Sequence, residues 1–184
     1  MTWSHRKRFM TAVELGEPDM VPVSDLDVDS RVIEKVTGVK MHGSGALSPM
    51  AEAGGNWQAI LEDIGAFTEA HRKLDFDAVV VSDYRLVARD PASKNIGRDT
   101  FVDEWGRVMK TDRETGITWW VGGTIETEED LEGFSPPDVH APGREEILLK
   151  IIKEVSGDMA VGGAVQTGFV ISWMARGGLD MMIV

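Results

Sequence analysis

Asp83 is the residue best placed to do chemistry. It directly follows the apolar run Phe76-Asp77-Ala78-Val79-Val80-Val81-Ser82 and precedes Tyr84, the chain's one tyrosine. An acid at the end of a buried parallel strand faces the ligand crevice of an α/β fold. There it can hold a cationic or N–H-rich ligand, or stabilise positive charge that develops in a transition state. The alternative role is to cap the following segment or to end the strand. Asp25, Asp27 and Asp29 follow a second extended run, Val21-Pro22-Val23, and stand at an equivalent mouth. In an extended segment, alternation turns all three to one side. Three such carboxylates can bind a hard cation or a basic ligand, or divide into one helix cap and two solvated acids.

Other chemistry-bearing residues are dispersed. His5, His42, His71 and His140 show no His-x-His or His-Glu-x-x-His spacing. His42 stands in a glycine-rich stretch where it can touch a ligand, and the other three read as surface residues. Gly162-Gly163 and Gly177-Gly178 lack the spacing of a phosphate-binding loop and read as sites of close strand–helix packing. Trp119 and Trp120 share one β run, so they point to opposite faces, one inward and one outward. Cysteine is absent, which removes disulfides, thiolate nucleophiles and cysteine-ligated metals from this chain.

The elements that must position these residues follow from the apolar spacing. Ser4 caps an opening helix with Phe9, Ala12 and Val13 on one face, and Gly16 ends it. Asp29 or Ser30 caps a second helix with Val32, Ile33 and Val36 together, stopped by Gly38. Residues 39–55 read as a mobile loop. Trp57, Ile60, Leu61, Ile64, Phe67 and Leu74 then keep helical spacing and deliver the chain to the run before Asp83. That run is what a parallel strand buried on both faces looks like. Phe101 to Lys110 and Ile117 to Val121 read as antiparallel β structure around turns. Short helical spacing follows at 128–134, then a clean amphipathic helix at 144–156 with Ile147, Leu148, Ile151, Ile152 and Val155 inward. Met159 to Val165 is a second buried strand, and a last helix begins near Phe169. Leu179 to Val184 shows no stop signal, so the sequence reads as cut inside an element.

Thirty-one acidic against 19 basic residues give a net charge of −12, and 42% of the residues are hydrophobic. The chain is therefore expected to be globular, and a poor partner for nucleic acid or an anionic membrane surface. No apolar run reaches the ~20 residues of a membrane helix, and no signal-peptide core follows the first residues. A cytoplasmic domain is expected.

Five segments, in order, resemble the uroporphyrinogen decarboxylase superfamily. They are the opening helix with Leu15-Gly16-Glu17-Pro18-Asp19-Met20-Val21-Pro22-Val23, the run Phe76 to Asp83, and Asp103-Glu104-Trp105-Gly106. Leu131-Glu132-Gly133-Phe134 with Pro136-Pro137-Asp138, and Trp173-Met174-Ala175-Arg176-Gly177-Gly178, complete the set. The resemblance covers nearly the whole chain. It implies an α/β architecture, the N-terminal portion of an incomplete TIM-type (β/α)₈ barrel, with an inserted antiparallel β-hairpin. A closed barrel typically takes ~250 residues.

The resemblance also implies one of two chemistries: decarboxylation of uroporphyrinogen in porphyrin biosynthesis, or methyl transfer between a corrinoid and a thiol or folate. Asp83 matches the decarboxylase's aspartate, which faces the pyrrole N–H groups. The decarboxylase's Met-Arg-Gln-Ala-Gly-Arg-Tyr segment is missing, and Asp25-Leu26-Asp27-Val28-Asp29 stands in its place. A substrate carrying many carboxylates wants arginines there. Trp173 stands where the decarboxylase has an active-site tyrosine. The leading expectation is therefore a methyltransferase-like enzyme, with Asp83 catalytic and Asp25, Asp27, Tyr84 and Trp173 lining the substrate site. Its expected partners are a small molecule or a corrinoid protein, with a homo-oligomer possible in principle. Corrinoid and zinc would belong to the full-length parent, because the family's His-x-Cys and later Cys zinc ligands do not occur here. No metal ligand is assigned. The remaining alternative is an inactive fragment that pairs with another chain.

Overall fold

The computed structural model describes residues 3–26, 28–42, 57–82, 88–112, 118–155 and 157–178. The expected loop at 39–55 lies mostly outside them. Helix α1 (His5–Val13) starts on Ser4, whose hydroxyl accepts from the Lys7 amide. It stops short of Gly16, because Leu15 takes the left-handed position at φ 62°. Strand β1 is Ser24–Asp25, and helix α2 is Ser30–Thr37, capped by the Asp29 carboxylate and ended by Gly38 at φ 78°. Helix α3 (Trp57–Lys73) leads into β2 (Ala78–Ser82). Four antiparallel strands follow: β3 (Lys94–Asn95), β4 (Thr100–Val102), β5 (Arg107–Thr111) and β6 (Thr118–Gly123). Helices α4 (Glu128–Gly133) and α5 (Arg144–Val155) lead to β7 (Ala160–Ala164) and α6 (Gly168–Arg176).

Two sheets form. The first is parallel, in the order β1-β2-β7, so spatial order follows sequence order. Ser24 stands opposite Ala78, and Ala78 to Ser82 stand opposite Ala160 to Ala164. Alternation sends Val79 and Val81 into a cluster with Ile60, Ile64 and Phe67 of α3 and Ile147, Ile151 and Val155 of α5. Ala78, Val80 and Ser82 leave the sheet on its other face. The second sheet is antiparallel, in the order β3-β4-β5-β6. The expected hairpin is thus part of a four-stranded sheet. The whole is mixed α/β, and no closed barrel forms among the described residues. None of the described helices is long and apolar enough to cross a membrane.

Some expectations need correction. Val21-Pro22-Val23 is not the strand, since Val21 is exposed and pairing begins at Ser24. Pro22 has no amide to donate, and Asp77 takes both polar backbone groups of Val23. Val32 and Ile152 are exposed, because their helices bury narrow stripes centred on Ile33 and on Ile147, Ile151 and Val155. One residue step turns a side chain about 100° away from such a stripe. Helix α6 does have a stop. It ends at Arg176 on Gly177, whose φ is 102°.

Candidate functional site

In a parallel sheet the loops after the strands gather the ligand-binding groups. Here that end is formed by Asp25 of β1, Ser82 of β2, Ala164 of β7 and the first turns of α2, α3 and α5. Asp83 follows Ser82 in the sequence, and it lies with Tyr84 and Asp27 outside the described residues. Asp25 is exposed and stands in register with Val79, so its side chain leaves on the helix-covered side, opposite to that of Ser82. Asp29 is committed as a cap. Its carboxylate accepts from the Arg31 amide at 2.9 Å and from Arg31 Nε at 3.2 Å, and Arg31 holds its pKa below the usual carboxylate value. Trp173 is stacked on Trp120 across the junction with the antiparallel sheet, with centroids 5.0 Å apart and planes at 29°.

Two ion pairs that the sequence reading did not single out rim this end. Arg89 donates to Glu146 at 2.7 Å, and Trp57 Nε1 donates to the same carboxylate at 3.1 Å. The Arg89 hydrogen bond leads the effects that lower the Glu146 pKa. Gly143, at φ 105°, lets these groups close up, since a Cβ there would lie 2.7 Å from the Arg89 amide nitrogen. Arg144 grips Glu104 through two bonds, of 2.9 and 2.6 Å. Glu104 belongs to the Asp103-Glu104-Trp105-Gly106 turn. Asp103 clamps that turn by accepting from Arg107 Nε at 2.6 Å, and Gly106 turns it at φ 76°. This segment ties the antiparallel sheet to α5.

The most densely bonded acid lies at the other end of the sheet. Asp77 precedes β2 and accepts from Arg8 Nη1 at 2.6 Å and from the Val23 amide at 2.8 Å, with His5 Nδ1 at 3.0 Å. Burial pushes its pKa up, but the Val23 amide, Arg8 and His5 together hold it below the usual value. Arg8 also reaches Asp19 at 2.8 Å. This network fastens α1 beneath the strands, where α/β folds place structural groups. The available sequence signal was an acid standing at the head of an apolar run.

The histidines divide differently from expectation. His71 is fully buried on α3, not on the surface; its Nδ1 donates to the Phe67 carbonyl at 2.8 Å, and Phe67 and Phe76 pack edge-on against its ring. His42 stands 3.0 Å from Asp63, whose carboxylate also accepts from the His42 amide. The glycines divide as well. A Cβ on Gly178 would stand 3.0 Å from Trp120, as close packing requires, whereas one on Gly163 would meet nothing within 4 Å.

The thiol-activating zinc implied by the resemblance does not fit this chain. It has no cysteine, and no three histidine or carboxylate side chains gather into a metal-binding group among the described residues. No step is derived through it. Comparison with protein families, with curated proteins and with solved structures gives no match.

Proposed function

We propose that this chain is part of a TIM-type barrel enzyme of the uroporphyrinogen decarboxylase superfamily, cytoplasmic, and of the branch that transfers a methyl group from a corrinoid to a thiol. The sequential parallel order β1-β2-β7, with α3 and α5 packed on one face, supports the scaffold. One observation carries the choice of chemistry. Among the described residues, the arginines at the strand-end side, Arg31, Arg89 and Arg144, are each already paired with a carboxylate: Asp29, Glu146 and Glu104. A substrate bearing many carboxylates would have to break those pairs to be held.

In this reading the methylated corrinoid is a substrate. The sulfur forms its bond to the methyl carbon as the methyl–cobalt bond breaks, leaving its electron pair on the corrinoid. The thiol proton passes to a carboxylate, a role assigned to Asp83. The test incubates the chain with methylcobalamin and 2-mercaptoethanol and follows the corrinoid's visible spectrum. Carbon dioxide release from uroporphyrinogen is measured in parallel. Methyl transfer is expected, lowered at least ~100-fold by Asp83→Asn. Carbon dioxide release without methyl transfer would assign the chain to the decarboxylases, and the absence of both activities would leave the fragment reading standing.

A further inference from the structure

We infer that the outer side of α1 is the interface of a homodimer, in which the α1 helices of two copies lie antiparallel across a two-fold axis at Met10. The inference does not depend on methyl transfer. It stands on the exposure of one helix face and on the order of the charges along it.

Arg8 fixes the inward side of the helix, since it is buried and bonded to Asp77 and Asp19. Each residue turns the helix by about 100°, so Arg6, Met10, Val13 and Glu14 share the opposite side. Arg6 and Glu14 are exposed and Met10 is half-buried. Val13 is 58% exposed, and Leu15, just past the helix end, is 95% exposed. An apolar stripe thus lies open between a base and an acid. Among the described residues neither the Arg6 nor the Glu14 side chain has an ion-pair or hydrogen-bond partner. Their order is also the reverse of what the helix's own dipole favours, which is acids in the first turn and bases in the last. Helix α1 has no acid in its first turn and no base in its last. These charges therefore do not serve α1 by itself. An antiparallel second copy turns the arrangement into a favourable one. Arg6 precedes Met10 by four residues and Glu14 follows it by four, so a two-fold axis at Met10 sets each Arg6 against the other copy's Glu14. Two ion pairs then flank an apolar centre of Met10 and Val13, and the positive end of each helix meets the negative end of the other. Parallel copies would set Arg6 against Arg6, so the charge order selects the antiparallel arrangement. Such an interface uses the same patch on both copies and closes at two. It is short, which places the dimer in the weak class that dissociates on dilution.

The test is sedimentation equilibrium of the 184-residue chain over a dilution series. The average mass is expected to move from twice that of one chain towards that of one chain as the protein is diluted. Arg6→Glu and Glu14→Arg should each weaken the dimer at least ~10-fold, because each sets two pairs of like charges together. Mixed in equal amounts, the two variants should pair with each other about as tightly as the parent pairs with itself, since every facing pair is then opposite in charge. The double variant Arg6→Glu/Glu14→Arg should recover self-association for the same reason. Neither single variant should lower the unfolding temperature of the diluted monomer, because both side chains are exposed and both changes suit the helix dipole. Loss of association together with loss of stability would assign the two residues to the fold instead. The inference also fails if the parent stays monomeric throughout, if the single variants dimerise as the parent does, or if their mixture remains monomeric.

Discussion

Val79 and Val81 of the parallel sheet sit in a dry cluster with aliphatic and aromatic side chains from α2, α3 and α5, whereas the antiparallel sheet adds no residue to that cluster. Its one buried hydrophobic side chain is Met109. What holds the second sheet is specific. Trp120 stacks on Trp173 and donates to the Met174 carbonyl at 2.9 Å. The Ile125 amide donates to the Ala175 carbonyl at 3.0 Å, Arg176 donates to the Ile125 carbonyl at 2.7 Å, and Arg144 grips Glu104. The first sheet is stabilised by area removed from water, which tolerates many apolar sequences. The second depends on particular atoms meeting at particular places. Damage to the first should therefore spread through the fold, and damage to the second should remain at the junction.

The largest effect is expected from Phe67→Ala, which empties the centre of the parallel layer. Phe67 is fully buried, so the loss should be about 3–5 kcal/mol in chemical denaturation. A loss under about 1 kcal/mol would mean that the two sheets do not differ as described. Next comes Asp77→Asn, expected to cost about 3 kcal/mol at neutral pH, because it strips a buried partner from Arg8. The folded-state pKa of Asp77 lies below its unfolded value, so its stabilisation is complete above about pH 4 and is lost as the pH falls through the lower folded value. Asp19, held down chiefly by its bond to Arg8, acts in the same direction. Stability measured against pH should fall on the acid side in the parent chain and fall less steeply in Asp77→Asn. Equal acid limbs would remove the network from the account.

The same contrast explains what could be read from the sequence. The apolar runs at Phe76–Ser82 and the i, i+4, i+8 series Ile147, Ile151 and Val155 report burial directly, so the parallel layer and its helices were legible. Periodicity is blind to polar groups buried by a distant partner. Arg8 meets Asp77 across 69 positions, and although Asp77 stands at the head of an apolar run, no local pattern marks Arg8 as its partner. His71 looked solvated because arginine and lysine follow it, yet it sits one turn after Phe67 on the buried stripe. Asp103-Glu104-Trp105-Gly106 was visible as a segment, but its work of clamping Arg107 and gripping Arg144 needs the fold. The candidate site divides likewise. Its acids could be placed at strand ends from order alone, but alternation in the folded sheet separates Asp25 from Ser82, and Trp173 turns to Trp120.

The smallest effect should come from the junction, at Gly123. Its φ is unexceptional, so the glycine serves closeness alone. A Cβ there would lie 2.0 Å from the Ala175 carbonyl oxygen and 2.4 Å from its carbon, distances that backbone atoms cannot concede without the helix moving. Gly123→Ala should therefore push β6 and α6 apart at a cost of about 1–3 kcal/mol. The nearby contacts identify which part moves. Separation breaks the Ile125–Ala175 hydrogen bond and the Trp120–Trp173 stack while the aliphatic cluster stays filled. Circular dichroism should lose the coupled-indole band of the stacked pair and keep its helical signal. If the helical signal fell together with that band, the antiparallel sheet would be part of one cooperative core, and the distinction between a sheet held by area and a sheet held by contacts would not survive.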